Sequence, residues 1–143
     1  MRELGPALAG LYDEVPSVVL GPVSRGSLLG ALTAAALGVG FVEMRKAGGT
    51  SIDSDRWVRH TSAPDYQDRH VVFGFRRHLI QPSDHVLVVD DWIDTGATAQ
   101  AAKALVDECG AHWIGAACIV DGLMEPRLRY ELPMRALLDV RQL

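Results

Sequence analysis

The distribution of apolar and polar residues along the chain predicts strands that alternate with helices. Short runs rich in valine and isoleucine have the length of strands and lie at 17–21, 39–45, 85–90 and 112–122. Alanine- and leucine-rich segments at 27–38 and 98–110 each end at a glycine, as helices commonly do. This order of elements is typical of an α/β protein with a parallel sheet.

The segment 46–69 interrupts this pattern, because it is polar, contains glycines and a proline, and shows no period. We therefore expect a long loop or mobile flap there, and loops of this length inside compact domains are usually functional. Residues 70–77 alternate like a strand. Residues 130–143 carry mixed signals and are expected to form a short strand or helix on an edge of the sheet.

Composition narrows the class of protein. The chain has 143 residues, of which 48% are hydrophobic and 22% are charged, so we expect one globular domain over residues 1–143. The net charge of -4 and the absence of a lysine or arginine block argue against a nucleic-acid partner. No apolar run approaches the ~20 residues of a membrane span, and the N-terminus lacks the apolar core of a signal peptide. A cytoplasmic protein without a membrane partner is expected.

Cysteine and histidine give no sign of a metal site. Cys109 and Cys118 lack metal-ligand spacing and are expected to be buried, reduced thiols. The five histidines show no ligand spacing either, and we expect each at the surface or in a satisfied core position.

The candidate chemistry lies in the segment 85–106, "HVLVVDDWIDTGATAQAAKALV", where an apolar strand runs into Asp90 and Asp91 and then into a turn and a helix. A helix that starts near Thr98 offers backbone N–H groups and hydroxyls to an anion. The small residues Gly96 and Ala97 allow a phosphate to approach the backbone closely. The two carboxylates precede this cradle by about the width of a sugar, so ribose 5-phosphate fits the pattern.

This segment carries a resemblance to a known family. At all 13 positions of "VLVVDDWIDTGAT", Val86 to Thr98, the chain resembles the signature of type I phosphoribosyltransferases, which bind phosphoribosyl pyrophosphate. The stretch "GPVSRG", 21–26, is similar to the pyrophosphate loop of adenine phosphoribosyltransferases, with Val23 where an aspartate is common. The stretch "FVEMRKAGG", 41–49, resembles the start of the flexible catalytic loop in the adenine and xanthine branch.

The resemblance covers about Val18 to Asp121 and implies a Rossmann-like parallel sheet whose loops converge at the carboxyl edge. It implies that Asp90 and Asp91 hold the ribose hydroxyls directly or through Mg²⁺. The residues implied to hold the 5-phosphate are Thr95, Gly96, Ala97 and Thr98. Those implied to hold the pyrophosphate are Ser24, Arg25, Gly26, Arg45 and Lys46.

The reaction that the resemblance implies is displacement of pyrophosphate from ribose C1 by a ring nitrogen, through an oxocarbenium-like state. Such a state needs negative charge beside the ribose and positive charge on the leaving group, and Arg45 and Lys46 are expected to contribute the latter in catalysis. Mg²⁺ is the implied cofactor.

Three positions in or near these motifs are open to more than one interpretation. Asp94 either handles a proton on the acceptor base, as an acid does in hypoxanthine-guanine enzymes, or caps the helix. Trp92 either stacks on the acceptor or fills space beneath the loop, and with Ile93 it is expected to border the acceptor pocket. Gln67 stands where the flap of the family has a glutamate, with Asp65 and Asp68 beside it.

The acceptor is expected to be purine-like or another nitrogenous aromatic ring. Adenine enzymes carry several dozen residues before the first core strand, which form a hood over the base, whereas about 16 precede it here. We therefore expect a reduced hood, or one built from residues 133–143 and a neighbouring subunit of a homodimer. Two alternatives remain: a regulator that senses phosphoribosyl pyrophosphate without turnover, and a different ribosyl-phosphate reaction in secondary metabolism.

Overall fold

The computed structural model describes residues 1–46, 56–64 and 67–143. Its strands are β1 (Val18–Pro22), β2 (Gly40–Lys46), β3 (Trp57–Thr61), β4 (Val72–Arg76), β5 (His85–Ile93), β6 (His112–Asp121) and β7 (Met134–Asp139). Its α-helices are α1 (Leu4–Ala9), α2 (Arg25–Leu37), α3 (Ala97–Glu108) and α4 (Pro126–Glu131). Single 3-10 turns follow β4 and β7.

The strands form one sheet in the order β3-β4-β2-β1-β5-β6-β7. Strands β2, β1, β5, β6 and β7 run parallel to one another, whereas β4 is antiparallel to β2 and β3 is antiparallel to β4. The α/β fold with a parallel sheet that the sequence predicts is therefore confirmed, with an antiparallel extension on one edge.

The central strands are apolar throughout because helices cover both faces of the sheet. All five residues of β1 are buried, as are residues 86–89 of β5. Alternate residues of β1 belong to two separate core clusters, Val18 and Leu20 on the side of α3 and Val19 on the side of α1 and α2. Burial on both faces explains the continuous apolar runs in the sequence.

The structure contains a strand inside the segment predicted to be a loop. Strand β3 pairs along its whole length with β4, from Trp57 opposite Arg76 to Thr61 opposite Val72. Only Val58 of its five residues is buried, so this edge strand lacks the alternation by which a strand is recognised. The rest of the expected flap lies partly outside the described residues, including Asp65, while Gln67 and Asp68 are exposed.

The ends of the chain are more regular than their sequence suggests. Helix α1 was not predicted, and it packs the fully buried Leu8 into the core beside α2. Residues 130–143 contain the end of α4 and the parallel edge strand β7, so both alternatives for this segment occur in succession. Predicted boundaries elsewhere shift by a few residues, and β5 continues past Asp90 to Ile93.

One smaller prediction has a direct counterpart in the structure. Cys109 and Cys118 are buried and unpaired, as expected from their sequence context. Among the helices of the described residues, none has the length and apolar character needed to cross a membrane.

Candidate functional site

Two adjoining cavities lie at the carboxyl ends of β1 and β5. The first has a volume of about 340 Å³ and is lined by Arg25 and by residues 90–99. The second has a volume of about 290 Å³ and extends towards Ser24, Lys46 and Ser62. Both cavities share the walls formed by Arg25, Asp90, Asp91, Ala97 and Thr98. One extended ligand can therefore occupy both sides of the carboxylate pair.

The two carboxylates are held by the backbone at the end of β5. Asp90 Oδ1 accepts a hydrogen bond from the Asp91 N–H at 2.8 Å, and Asp91 Oδ1 accepts one from the Trp92 N–H at 2.9 Å. Asp91 Oδ2 forms an ion pair with Arg25 Nε at 2.9 Å. The Arg25 side chain is 82% exposed, so this pair contributes little to stability and can open for a ligand.

Burial makes the Asp90 carboxyl a weaker acid than an ordinary aspartate. Loss of water around its carboxylate is the main cause that raises its pKa from 3.8 to about 7, and the nearby Asp91 carboxylate adds to the effect. The Asp91 amide and Arg25 act in the opposite direction but are outweighed. Asp90 therefore carries its negative charge at neutral pH only in part, and hydroxyl donors or a cation would favour the charged form.

Gly26 makes this burial possible. A Cβ at residue 26 would lie 2.7 Å from Asp90 Oδ1 and 2.8 Å from Pro22 Cδ. Any larger residue at position 26 would therefore displace the Asp90 carboxylate or Pro22 at the end of β1. This is a packing reason for the glycine that the sequence alone does not reveal.

The turn between β5 and α3 brings together the residues expected to form an anion cradle. Gly96 has a φ of 82°, which is the left-handed region, and α3 begins at the next residue. Thr95 Oγ1 accepts a hydrogen bond from the Ala97 N–H at 3.3 Å. The first N–H groups of a helix have no partners within it, so the wall formed by residues 95–99 offers donors to an anion.

Asp94 does not cap this helix. The residue before α3 is Gly96, which has no capping side chain, and the Ala97 N–H at the start of the helix donates to Thr95 Oγ1. Asp94 is exposed and borders the first cavity, where its carboxylate has no hydrogen-bond or ion-pair partner among the described residues. The capping interpretation is therefore wrong, and a role towards a ligand stays open.

The structure separates the two basic residues expected at the pyrophosphate. Lys46 lines the second cavity, whereas Arg45 Nε pairs with Glu43 Oε1 at 2.9 Å and borders another cavity beside Trp57 and Phe75. Successive residues of a strand point to opposite faces, which is why the neighbours Arg45 and Lys46 diverge. Arg45 is therefore not brought to the site in this structure, contrary to expectation.

The two residues expected at the acceptor pocket both line the first cavity, but their side chains are exposed to different degrees. The Trp92 side chain borders the first cavity, is 47% exposed, and packs so closely on Gly122 that a Cβ there would lie 2.5 Å from the indole Nε1. Ile93 is 4% exposed and its side chain belongs to the hydrophobic core. Because β5 extends to Ile93, strand alternation turns this side chain inward, and only Trp92 offers a broad surface to a ligand.

Comparison with protein families identifies the family of this chain. The family model described as the phosphoribosyl transferase domain matches residues 6–139. The chain belongs to this family.

Relatives of this phosphoribosyltransferase chain lie in the adenine branch. It is 40% identical over 138 residues to the adenine phosphoribosyltransferase of Methylobacillus flagellatus, covering 96% of this chain and 74% of that protein. The crystal structure of adenine phosphoribosyltransferase from Rhodothermus marinus superposes with a TM-score of 0.81 at 28% identity, covering 97% of this chain and 78% of that chain. The sequence-based assignment to type I phosphoribosyltransferases, near the adenine enzymes, is confirmed.

A further solved relative has ligands bound. The Saccharomyces cerevisiae adenine phosphoribosyltransferase, complexed with adenine and D-2,5-dideoxy-2,5-imino-altritol 1,6-bisphosphate, is similar with a TM-score of 0.74 and 31% identity, covering 95% of this chain and 73% of that chain. The chain spans 48% to 74% of the length of eight curated adenine phosphoribosyltransferases to which it is 35% to 44% identical.

Sequence reasoning missed two parts of the site's surroundings. Ser62, which follows β3, lines the second cavity, and its Oγ accepts a hydrogen bond from the Val71 N–H at 3.1 Å. Asp121, at the end of β6, is 9% exposed and pairs with Arg129 Nε at 2.8 Å. Ser62 was not predicted because the strand that precedes it, β3, was not predicted. The Asp121–Arg129 pair could not be predicted because it forms only when α4 packs back onto the sheet.

Proposed function

We propose that this protein transfers the 5-phosphoribosyl group from phosphoribosyl pyrophosphate to a ring nitrogen of a purine-like acceptor, with adenine as the first candidate, and releases pyrophosphate. The observation that carries the proposal is the position of Asp90 and Asp91 where two cavities meet. One cavity is bordered by a helix N-terminus and Trp92, and the other by Ser24 and Lys46.

Each cavity suits one part of the donor substrate. The 5-phosphate is assigned to residues 95–98, where the start of α3 and two threonine hydroxyls favour an anion. The ribose hydroxyls are assigned to Asp90 and Asp91. The pyrophosphate is assigned to the second cavity, with Ser24, Arg25 and Lys46, while Gly26 provides the space that Asp90 occupies.

This distribution of charge favours departure of pyrophosphate. Negative carboxylates beside the ribose stabilise positive charge that develops at C1, and Arg25 and Lys46 stabilise negative charge on the leaving group. Arg25 serves this role after it leaves Asp91, which the exposure of their ion pair permits. Arg45 is engaged with Glu43 and has no part in the proposed step.

The acceptor is assigned to the part of the first cavity next to Trp92. The exposed indole provides a flat surface for stacking an aromatic ring. Asp94 borders the same cavity and is proposed to accept the proton that the ring nitrogen loses. The names of the relatives and the adenine bound to the yeast enzyme support a purine acceptor.

The carboxylate pair also fits Mg²⁺. Asp90 and Asp91 offer the hard oxygen ligands that Mg²⁺ requires, and because burial raises the pKa of Asp90 to about 7, a cation beside it would favour the charged form. When bound, the ion would neutralise charge on the pyrophosphate and help to orient the ribose hydroxyls. We further propose that residues 1–143 form a single domain, and that the protein acts as a homodimer in the cytoplasm, as the sequence analysis expects.

The test measures pyrophosphate release from phosphoribosyl pyrophosphate and Mg²⁺ with adenine, guanine, hypoxanthine, xanthine, orotate and substituted aromatic rings. The Asp90→Asn/Asp91→Asn double variant should lose about 100-fold or more in kcat/KM with the preferred acceptor, because both charges beside the ribose are removed. The matched control Asp107→Asn changes an exposed carboxylate on α3 and should retain activity. Near-normal activity of the double variant would show that the ribose assignment is wrong, and binding of phosphoribosyl pyrophosphate without pyrophosphate release would contradict the transfer reaction.

A further inference from the structure

A second cluster of polar side chains lies at the amino ends of β5 and β6, on the edge of the sheet opposite the candidate active site. The Glu14 carboxylate contacts His85 Nδ1 at 2.9 Å and His112 Nε2 at 3.2 Å. The two imidazole rings lie beside each other, with centroids 4.8 Å apart. One carboxylate thus bridges two histidines that are far apart in the sequence.

The fold fixes the backbone of both histidines. His85 and His112 are direct neighbours in the register of β5 and β6. The His85 N–H donates to Ser17 Oγ at 2.9 Å, and its carbonyl accepts from the Ser17 N–H at the same distance. The His112 N–H donates to the Asp84 carbonyl at 2.9 Å. The imidazoles therefore start from positions that sheet pairing determines, close to the loop that carries Glu14.

We propose that Glu14, His85 and His112 form a Zn²⁺ site. One ligand atom from each residue lies within 4.8 Å of the other two. Tetrahedral Zn²⁺ with bonds of about 2.0–2.1 Å separates its ligand atoms by roughly 3.3 Å, so the carboxylate–imidazole distances of 2.9 and 3.2 Å already match, and the two imidazole nitrogens lie within 4.8 Å of each other. All three side chains are about half exposed, which leaves them free to rotate.

The donor set selects the metal. Two imidazole nitrogens and one carboxylate oxygen suit Zn²⁺, with water in the fourth position, whereas Mg²⁺ prefers a shell of oxygens. This site is separate from the carboxylate pair at the catalytic end of the same strand. Asp90 lies five residues beyond His85, or roughly 16 Å at the rise of a strand. Bound Zn²⁺ would therefore tie the segment before β1 to the sheet and would not contact the phosphoribosyl donor.

The test uses the full chain without a histidine tag, titrated with ZnCl₂ and separately with MgCl₂ by calorimetry. We expect one Zn²⁺ per chain, no comparable binding of Mg²⁺ to these residues, and a higher unfolding temperature with Zn²⁺. His85→Asn and His112→Asn should each weaken Zn²⁺ binding by about 10-fold or more. His78→Asn, an exposed histidine outside the cluster, serves as the control and should bind Zn²⁺ like the wild type.

Glu14→Gln provides a second variant on an exposed loop, in case a strand substitution prevents folding, and it should also weaken Zn²⁺ binding. The proposal is overturned if the wild type shows no saturable Zn²⁺ binding, or if the cluster variants bind Zn²⁺ as tightly as the control. Loss of stability in these variants without any Zn²⁺ binding by the wild type would identify the cluster as an ion pair only.

Discussion

Replacing Asp90 with asparagine should make the ligand-free protein more stable at neutral pH while removing its ability to bind the ribose. Asparagine has nearly the same shape and cannot ionise. The Asp90 carboxylate is partly buried, shares its surroundings with Asp91, and has a pKa raised to about 7. The native state therefore resists ionisation of this group, whereas the unfolded chain ionises it freely.

The sign and size of the effect follow from that difference in pKa. Below pH 3.8 the carboxyl is protonated in both states, and its contribution to stability is fully present. As the pH rises towards about 7, the unfolded chain releases the proton and the native state keeps it, so this contribution is lost. A shift from 3.8 to about 7 corresponds to an upper limit of about 4 kcal/mol, reduced where solvent reaches the group.

The assay is urea unfolding of wild type and Asp90→Asn at a series of pH values from about 4 to about 8, without Mg²⁺ or ligand. The free energy of unfolding of the variant, relative to wild type, should rise by about 2 to 4 kcal/mol across this range and then level off. Asp94→Asn, a matched substitution of an exposed carboxylate in the same cavity, is the control for the effect of the Asp-to-Asn change itself. Parallel curves for wild type and Asp90→Asn would refute the burial argument, and a relative loss of stability would show that Arg25 stabilises the charged form.

Three further substitutions test the surroundings of the site. Trp92→Leu should raise the KM for the acceptor or change which acceptors are used, while calorimetry shows phosphoribosyl pyrophosphate binding within a few-fold of wild type; loss of both ligands would mean that the indole only supports the loop. Gly26→Ala should weaken phosphoribosyl pyrophosphate binding in calorimetry by about 10-fold or more, because its Cβ displaces Asp90; unchanged affinity would contradict this packing. Arg129→Met should lower the free energy of urea unfolding by about 2 to 4 kcal/mol, since it leaves Asp121 buried without its partner, and a change near zero would show that water replaces the guanidinium.

The local parts of the site could be predicted because their residues are consecutive. In the segment 86–98, the same short stretch of chain supplies the end of a strand, the carboxylate pair and the start of a helix. Hydrophobic runs and helix-start signals are local properties, so the order of the central elements β1, α2, β2, β4, β5, α3 and β6 followed from the sequence, as did the turn between β5 and α3. The identity of the family followed in the same way, because its signature is contiguous.

Features that depend on which face of a strand a side chain occupies were harder to predict. The amino-acid sequence does not indicate that Lys46 lines the second cavity while its neighbour Arg45 forms an ion pair with Glu43. The same holds for Trp92 and Ile93, whose directions depend on how far β5 extends. The phase of strand alternation decides both cases, and that phase is set by pairing with neighbouring strands.

Long-range pairings were decided by the tertiary structure alone. Strand β3 is a strand because β4 supplies its hydrogen bonds, not because its own residues alternate. Glu14 lies 71 residues from His85 and 98 from His112, and no spacing rule connects them. Sheet register places the two histidines side by side and the turn before β1 delivers the carboxylate, so this cluster exists only in the folded chain.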